Sequence, residues 1–420
     1  MQTTAMDFGE LTLAFTDEFT WCWDDKNTGG TQWVSFWHPK APKGFRALGS
    51  MGFNAWESAN LKAKIPHADK ASKTSEHLVA LCVKQNSSEA SKKASTPALA
   101  APRDYEEVWR DTGSGGKHYC SVWRPIPPKG YVALGCVVAE NTYDKPSTDA
   151  VWCVRRDLAF RSIVEQTYTD KGTGSQRDFS AWQNKTPGFN SPDETLTALI
   201  APNTFAAHVS HNQPDGLPEM YVLCLPIPSD EPDPGATPSL GSTAKPAEKT
   251  KAKVTETAWI PFTAIADKDY TVPWKLEHSP FYKIERKASW VLAGHINNTT
   301  SVAQKTTAST TTGTTDAAAD TWGVDVGFSF GFKKGWTSPI GSGEFSMSFS
   351  VTTKFSRTET TTKMTSETWT QELIAPPHKA AAIWVGNHTI QVVRGDGTRV
   401  GPELSFNDAK SVHYDEFPDK

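Results

Sequence analysis

The side chains whose type and spacing promise chemistry stand late in the chain. Trp322, Val324, Val326, Phe328, Phe330 and Phe332 alternate with small or polar residues, and Phe345, Met347, Phe349, Val351 and Phe355 repeat the pattern. Apolar residues at every second position share one face of a strand, so residues 322–356 are expected to form one amphipathic hairpin. Its chemistry is partition into hydrocarbon. The opposite face carries Gly, Ser and Thr, with Asp325 and Lys354 as its charges. Pairing Phe332 with Phe345 and Phe330 with Met347 sorts the hairpin into a greasy side and a wet side. Each arm has the roughly 9–11 residues with which a tilted strand crosses a bilayer. The connection places Trp336 and Ile340 beyond the crossing, where an indole suits the interface. The same alternation would also serve a half-buried hairpin on a soluble sandwich.

A second set of candidates recurs in the first half. DKNTGGTQWVSFW (Asp25 to Trp37), DTGSGGKHYCSVW (Asp111 to Trp123) and DKGTGSQRDFSAW (Asp170 to Trp182) align without gaps. Asp25, Asp111 and Asp170 begin equivalent Gly-rich turns, where a carboxylate could accept sugar hydroxyls or help hold calcium. They are candidate receptor- or glycan-binding turns; a tight turn also wants Asp and Gly for its own closure. Other sites are not expected: the chain has no GxSxG elbow, HExxH pair, phosphate-binding loop or CxxC spacing, so neither an enzyme, a cofactor nor a metal centre is anticipated. Arg394-Gly395-Asp396 spells an adhesion tripeptide, yet Asp396-Gly397 between two apolar runs reads first as a hairpin turn.

The elements that must position these residues are strands. Each repeat reads as strand, Asp/Gly turn and strand, and the first two continue in step through HPKAPKGFRALG and RPIPPKGYVALG. Three small sheets can share a core only around a common axis, which predicts a β-prism-like head. Trp37, Trp123 and Trp182 are expected to fill it. Flanking the hairpin, residues 297–315 and 351–370 are dense in Thr and Ser with few large apolar residues. Thr favours extended backbone, so these tracts are expected to be long polar strands that continue the hairpin. The expected class is all-β throughout.

Composition sets the limits. The 420 residues suit two or three domains, and the net charge of −4 commits the chain to neither nucleic acid nor an anionic membrane. The Pro-, Gly- and charge-rich stretch 228–253 reads as a flexible linker or protease-exposed loop. All six cysteines stand before it, mostly on apparent strands, and are expected to be buried free thiols. No apolar run approaches a transmembrane helix, and the first residues lack the features of a signal peptide. The expectation is a protein made soluble and released by another route.

The repeated PKG[FY]xALG and Asp-Gly turns resemble the Vps62 family over about Phe15 to Pro228, and the order of elements from about Lys251 to Lys420 resembles the aerolysin-like β-pore-forming toxins. The combination resembles bacterial toxins, including insecticidal ones. It implies a threefold head (1–228) that binds a surface receptor or glycan, a linker (229–253), and a pore module (254–420) whose hairpin inserts after homo-oligomerisation at a target-cell plasma membrane. The rival expectation is a lectin-like binding protein that never inserts; a membrane-traffic adaptor is a third.

Overall fold

The computed structural model describes residues 4–54, 78–186, 197–212, 220–230, 236–265, 267, 269–312, 330–332, 350–351 and 367–418. The chain is all-β, built of antiparallel sheets with two short α-helices among the described residues.

The head is a pseudo-threefold prism. Each repeat supplies a three-stranded sheet: Phe19–Asp24, Ser35–Pro39 and Met51–Phe53; Asp104–Arg110, Ser121–Ile126 and Val137–Ala139; Ile163–Thr169, Ser180–Lys185 and Phe205–His208. In each the second strand is central. The hairpin ladder breaks at Cys22, Val108 and Thr167, three residues before each repeat's Asp. A bulge there turns the strand and changes which side chains face inward.

The register explains why the axis is not filled by the expected tryptophans. Phe36, Val122 and Ala181, one position earlier, line the shared core with Trp23, Trp109, Tyr168, Phe179 and Phe205. Trp23 meets Trp109 edge-on at 5.8 Å, and Trp109 stacks on Phe179 at 4.8 Å. Trp37, Trp123 and Trp182 lie on the opposite faces, each in its own satellite cluster. Adjacent strand residues point to opposite faces, so the expectation was wrong by one residue. Each outer indole Nε1–H donates to a serine Oγ two residues back: Ser35 at 2.8 Å, Ser121 at 2.9 Å and Ser180 at 2.8 Å. The repeated Ser-x-Trp is therefore a hydrogen-bonded pair that satisfies a buried indole.

A second tier of three sheets closes the base of the prism. Its core runs on into the second half of the chain: Phe15 meets Phe262 edge-on at 5.3 Å and Phe281 at 5.8 Å, and Phe8 lies 6.0 Å from Phe281. Head and C-terminal module thus share one apolar cluster.

The C-terminal module is a five-stranded sheet whose longest members are Phe281–Asn297, Ala380–Val393 and Arg399–Phe417. Arg394 to Thr398 form the turn of the last hairpin, with Gly397 at φ +86° and Asp396 accepting from both the amide and the hydroxyl of Thr398. That agrees with the turn read from Asp396-Gly397. Arg394 is buried, bidentate on Asp267 at 2.8 Å, so the tripeptide is a structural corner. The described part of the stretch read as a linker or protease-exposed loop is mostly exposed and is tied to the sheet at a few points. Leu240 is buried against Trp290 and Trp384, its amide donates to Asp415, and the amides of Leu292 and Thr250 bond across to Glu248 and Trp290. One inserted Leu and a few backbone bonds lay its described part along the sheet.

Candidate functional site

The three Gly-rich turns meet at one end of the prism axis. Gly29 and Gly172 approach so closely that a Cβ on Gly172 would lie 3.2 Å from the Gly29 carbonyl, and both take positive φ, which only Gly adopts cheaply. Thr31 N–H donates to Lys171 O, and Gln176 N–H to Thr112 O. Asp25, Asp111 and Asp170 stand at the same point in each turn and are all buried. Each carboxylate accepts the amide nine residues on: Val34 at 3.0 Å, Cys120 at 2.8 Å and Phe179 at 2.8 Å. Each Asp amide donates back to the carbonyl of that same residue. The three Asp therefore close their own loops, and their side chains face inward.

Asp170 has further partners, Trp109 Nε1 at 3.1 Å and His211 Nε2 at 2.7 Å. Burial raises its pKa above the usual carboxylate range, against the hydrogen bonds from Phe179 and His211. Indole donors also staple neighbouring repeats. Trp23 Nε1 reaches His118 O and Trp109 Nε1 reaches Arg177 O, both at 3.0 Å. In the third repeat Tyr168 stands where the others have Trp, and there Gln32 Oε1 accepts from the Thr169 amide at 2.7 Å.

What the turns show to solvent is eight residues further along. Trp33 is 60% exposed and Tyr119 is 61% exposed, at equivalent places in the first two repeats, while the third has exposed Asp178. The signal was in the aligned repeats: position nine varies among Trp, Tyr and Asp while the Asp and Gly positions recur.

The proposed insertion segment is bracketed by a two-stranded ribbon. Gln304–Thr312 pairs with Glu367–Ala375 without a register break, from Gln304 opposite Ala375 to Thr312 opposite Glu367. The first strand lies within the Ser/Thr-rich tract 297–315, whereas the second overlaps the tract 351–370 only at residues 367–370, residues 352–366 lying outside the described residues. One face of the ribbon, with Ala308, Leu373 and Ala375 buried, packs on Ala381 and Ile383 of the long sheet. The other face is exposed and carries the Lys305–Glu372 ion pair at 3.1 Å.

Of the hairpin itself, Phe330–Phe332 and Ser350–Val351 are described as strands. Trp322, Val324, Asp325, Val326, Phe328, Trp336, Ile340, Phe345, Met347, Phe349, Lys354 and Phe355 lie outside the described residues. The two short strands pair Phe330 with Val351 and Gly331 with Ser350. The expected register put Phe330 opposite Met347, so it is corrected by four residues. Alternation fixes the face and leaves in-phase registers open; an even shift keeps apolar opposite apolar. Phe330–Phe332 also pairs with Thr197–Ile200, adding these two short strands to the edge of a base sheet of the head.

The family model described as vacuolar protein sorting-associated protein 62, Vps62, matches residues 2–225, the whole threefold head. The chain belongs to the Vps62 family. No curated protein matches it. Among solved structures, this Vps62 chain is similar to GNIP1Aa from Chromobacterium piscinae, with 24% identity and a TM-score of 0.37, over 50% of this chain and 37% of that one. It is also similar to Cry35Ab1, with 9% identity and a TM-score of 0.29, over 77% of this chain and 89% of that one. The Vps62 region ends close to where the chain leaves the prism for the long sheet.

Proposed function

We propose that the protein is a β-pore-forming toxin of the insecticidal kind, whose head engages a cell surface and whose residues 322–356 insert after homo-oligomerisation. The observation that carries this reading is the ribbon. Its unbroken ladder ends with Thr312 opposite Glu367, so the segment between those two residues begins and ends together. Parity supports it further. Even-numbered Ala308 and odd-numbered Leu373 and Ala375 share the ribbon's buried face. Trp322 to Phe332 are even and Phe345 to Phe355 odd, so an extended hairpin continues that face with apolar residues. Lys305 and Glu372 continue the wet face on which Asp325 and Lys354 fall.

The sequence of events follows from solvation. A single hairpin in lipid would leave backbone amides and carbonyls unpaired, at several kcal/mol each. A closed ring of hairpins pairs them all. Insertion must therefore wait for assembly, which receptor binding promotes by raising local concentration. Apolar residues then face lipid, and the Gly/Ser face lines a wet lumen.

The test is dye release from vesicles of target-cell membrane extract, alongside a gel for detergent-resistant oligomers. Release with a large oligomer is expected. Tight binding with sealed vesicles would sink the pore reading and favour the lectin-like one.

A further inference from the structure

We infer that the depression beside Trp33, at the exposed end of the prism, is a binding site for a single neutral sugar ring. The inference rests on the reading that the head is the part that meets the cell surface, and it moves the recognition site from the buried Asp residues to the loop shoulder beside them.

The depression is lined by Thr31, Gln32, Trp33, Asn54 and Thr167, and has a volume of about 230 Å³. Drug-sized sites run to roughly 300–1,000 Å³, so this one suits a ring-sized group. No lining residue is charged, which disfavours an ionic ligand. The side chains of Thr31, Gln32 and Thr167 are already set by the fold, and the capacity left over defines the ligand. Gln32 Oε1 accepts from the Thr169 amide at 2.7 Å, leaving its amide N–H groups as the donors that remain. The Thr31 hydroxyl donates to Lys171 O at 3.2 Å and the Thr167 hydroxyl to Ala181 O at 3.1 Å, leaving lone pairs that accept. Asn54 carries both kinds of group.

Donors and acceptors mixed around an exposed indole match a pyranose. Its hydroxyls both donate and accept, and its C–H face packs on an aromatic ring. The indole offers a large apolar area with a polar edge and few rotors to freeze. Thr31 and Gln32 come from the first repeat and Thr167 from the third, so the site exists only where two repeats meet. The equivalent corner between the first two repeats presents Tyr119, 5.0 Å from Tyr143, with its amide bonded to Asn141 Oδ1. The third repeat has Asp178 in the aromatic position. The head therefore carries one full site, one aromatic relative of it, and one charged corner that lacks the ring.

The experiment uses the full chain and phosphatidylcholine vesicles with or without neolipids ending in galactose, glucose, mannose or N-acetylglucosamine. Co-sedimentation measures binding, and dye release is read separately. The expected result is binding to at least one neolipid, competed by the free sugar. Trp33→Ala should weaken it about tenfold, the effect of roughly 1.4 kcal/mol, with unchanged thermal melting. Asn54→Ala should weaken it as well. Wild-type protein that binds none of the four, or Trp33→Ala and Asn54→Ala proteins that bind like wild type, would overturn the site. Dye release from plain vesicles at high protein concentration needs assembly and the hairpin but no sugar, so it reports on the pore reading whichever way the sugar result falls.

Discussion

Gly294 and Ala308 meet with no room for another atom: a Cβ on Gly294 would lie 2.8 Å from the Cβ of Ala308. Gly294 lies where the ladder between Phe281–Asn297 and Ala380–Val393 shifts register, and Ala308 is the buried centre of the ribbon. The contact seats the ribbon on the long sheet. Gly294→Val is therefore expected to pry the two apart, at about 1–3 kcal/mol for an overpacked contact. In the pore reading, dye release should begin at lower protein concentration, and limited proteolysis should cut the ribbon sooner. A variant with wild-type proteolysis and wild-type release would show that this contact does not hold the ribbon.

The two faces of the hairpin give a second expectation. Phe330→Asp should abolish permeabilisation while leaving surface binding intact, because a carboxylate at the bilayer centre costs up to roughly 3 kcal/mol, repeated in every protomer of the ring. Ser329→Asp falls on the other face and should be tolerated with altered ion selectivity. Single-channel recording distinguishes the two, and equal effects would refute the alternation.

Asp111 closes its turn through the Cys120 amide. Asp111→Ala strands that buried donor and should cost about 1–3 kcal/mol in urea unfolding. Asp111→Asn keeps an acceptor oxygen and should cost less. Surface binding by either variant should follow the folded fraction alone; a folded Asp111→Asn protein that has lost binding would restore a ligand role to the carboxylate.

His388 is buried between Arg286, 3.2 Å away, and Phe406. Burial and then the Arg286 charge push its pKa down to about 4 from 6.5, with Asp408 acting the other way. A depressed pKa means the fold prefers the neutral ring. Its contribution is complete above about pH 6.5 and is lost as pH falls towards 4, on the order of 3 kcal/mol in total. Melting temperature should drop through that window, and His388→Gln should flatten the drop. An unchanged acid profile in the variant would clear His388 of the effect.

Arg394 neutralises Asp267, which also accepts from the Tyr282 hydroxyl at 2.6 Å. Burial alone would raise the Asp267 pKa, but the hydrogen bonds from Arg394 and Tyr282 outweigh it and hold the carboxyl at about 2. Its stabilising share is present above about pH 3.8 and lost as pH falls to 2. Arg394→Ala leaves a buried charge uncompensated and should cost about 3–5 kcal/mol at neutral pH, measured by urea unfolding. A loss under 1 kcal/mol would mean that water replaces the guanidinium.

Much of this protein was determined by sequence alone, because its signals are local and repeated. Three aligned Asp-to-Trp segments imply three equivalent sheets, and three sheets need a common axis. Period-two apolar runs specify which residues share a face, and the Ser/Thr-rich tract around Gln304–Thr312 specifies an extended polar strand. Other features depended on tertiary structure. The bulges at Cys22, Val108 and Thr167 accompany the choice of Phe36 over Trp37 for the axis, and a bulge has no mark in the residue pattern. The in-phase register of Phe330 was set by neighbours far away in sequence, since alternation repeats every two residues. The burial of Asp25, Asp111 and Asp170 depends on loops from different repeats closing over one another. That packing leaves Trp33 beside Thr167, a juxtaposition of residues far apart in sequence that only the folded prism creates.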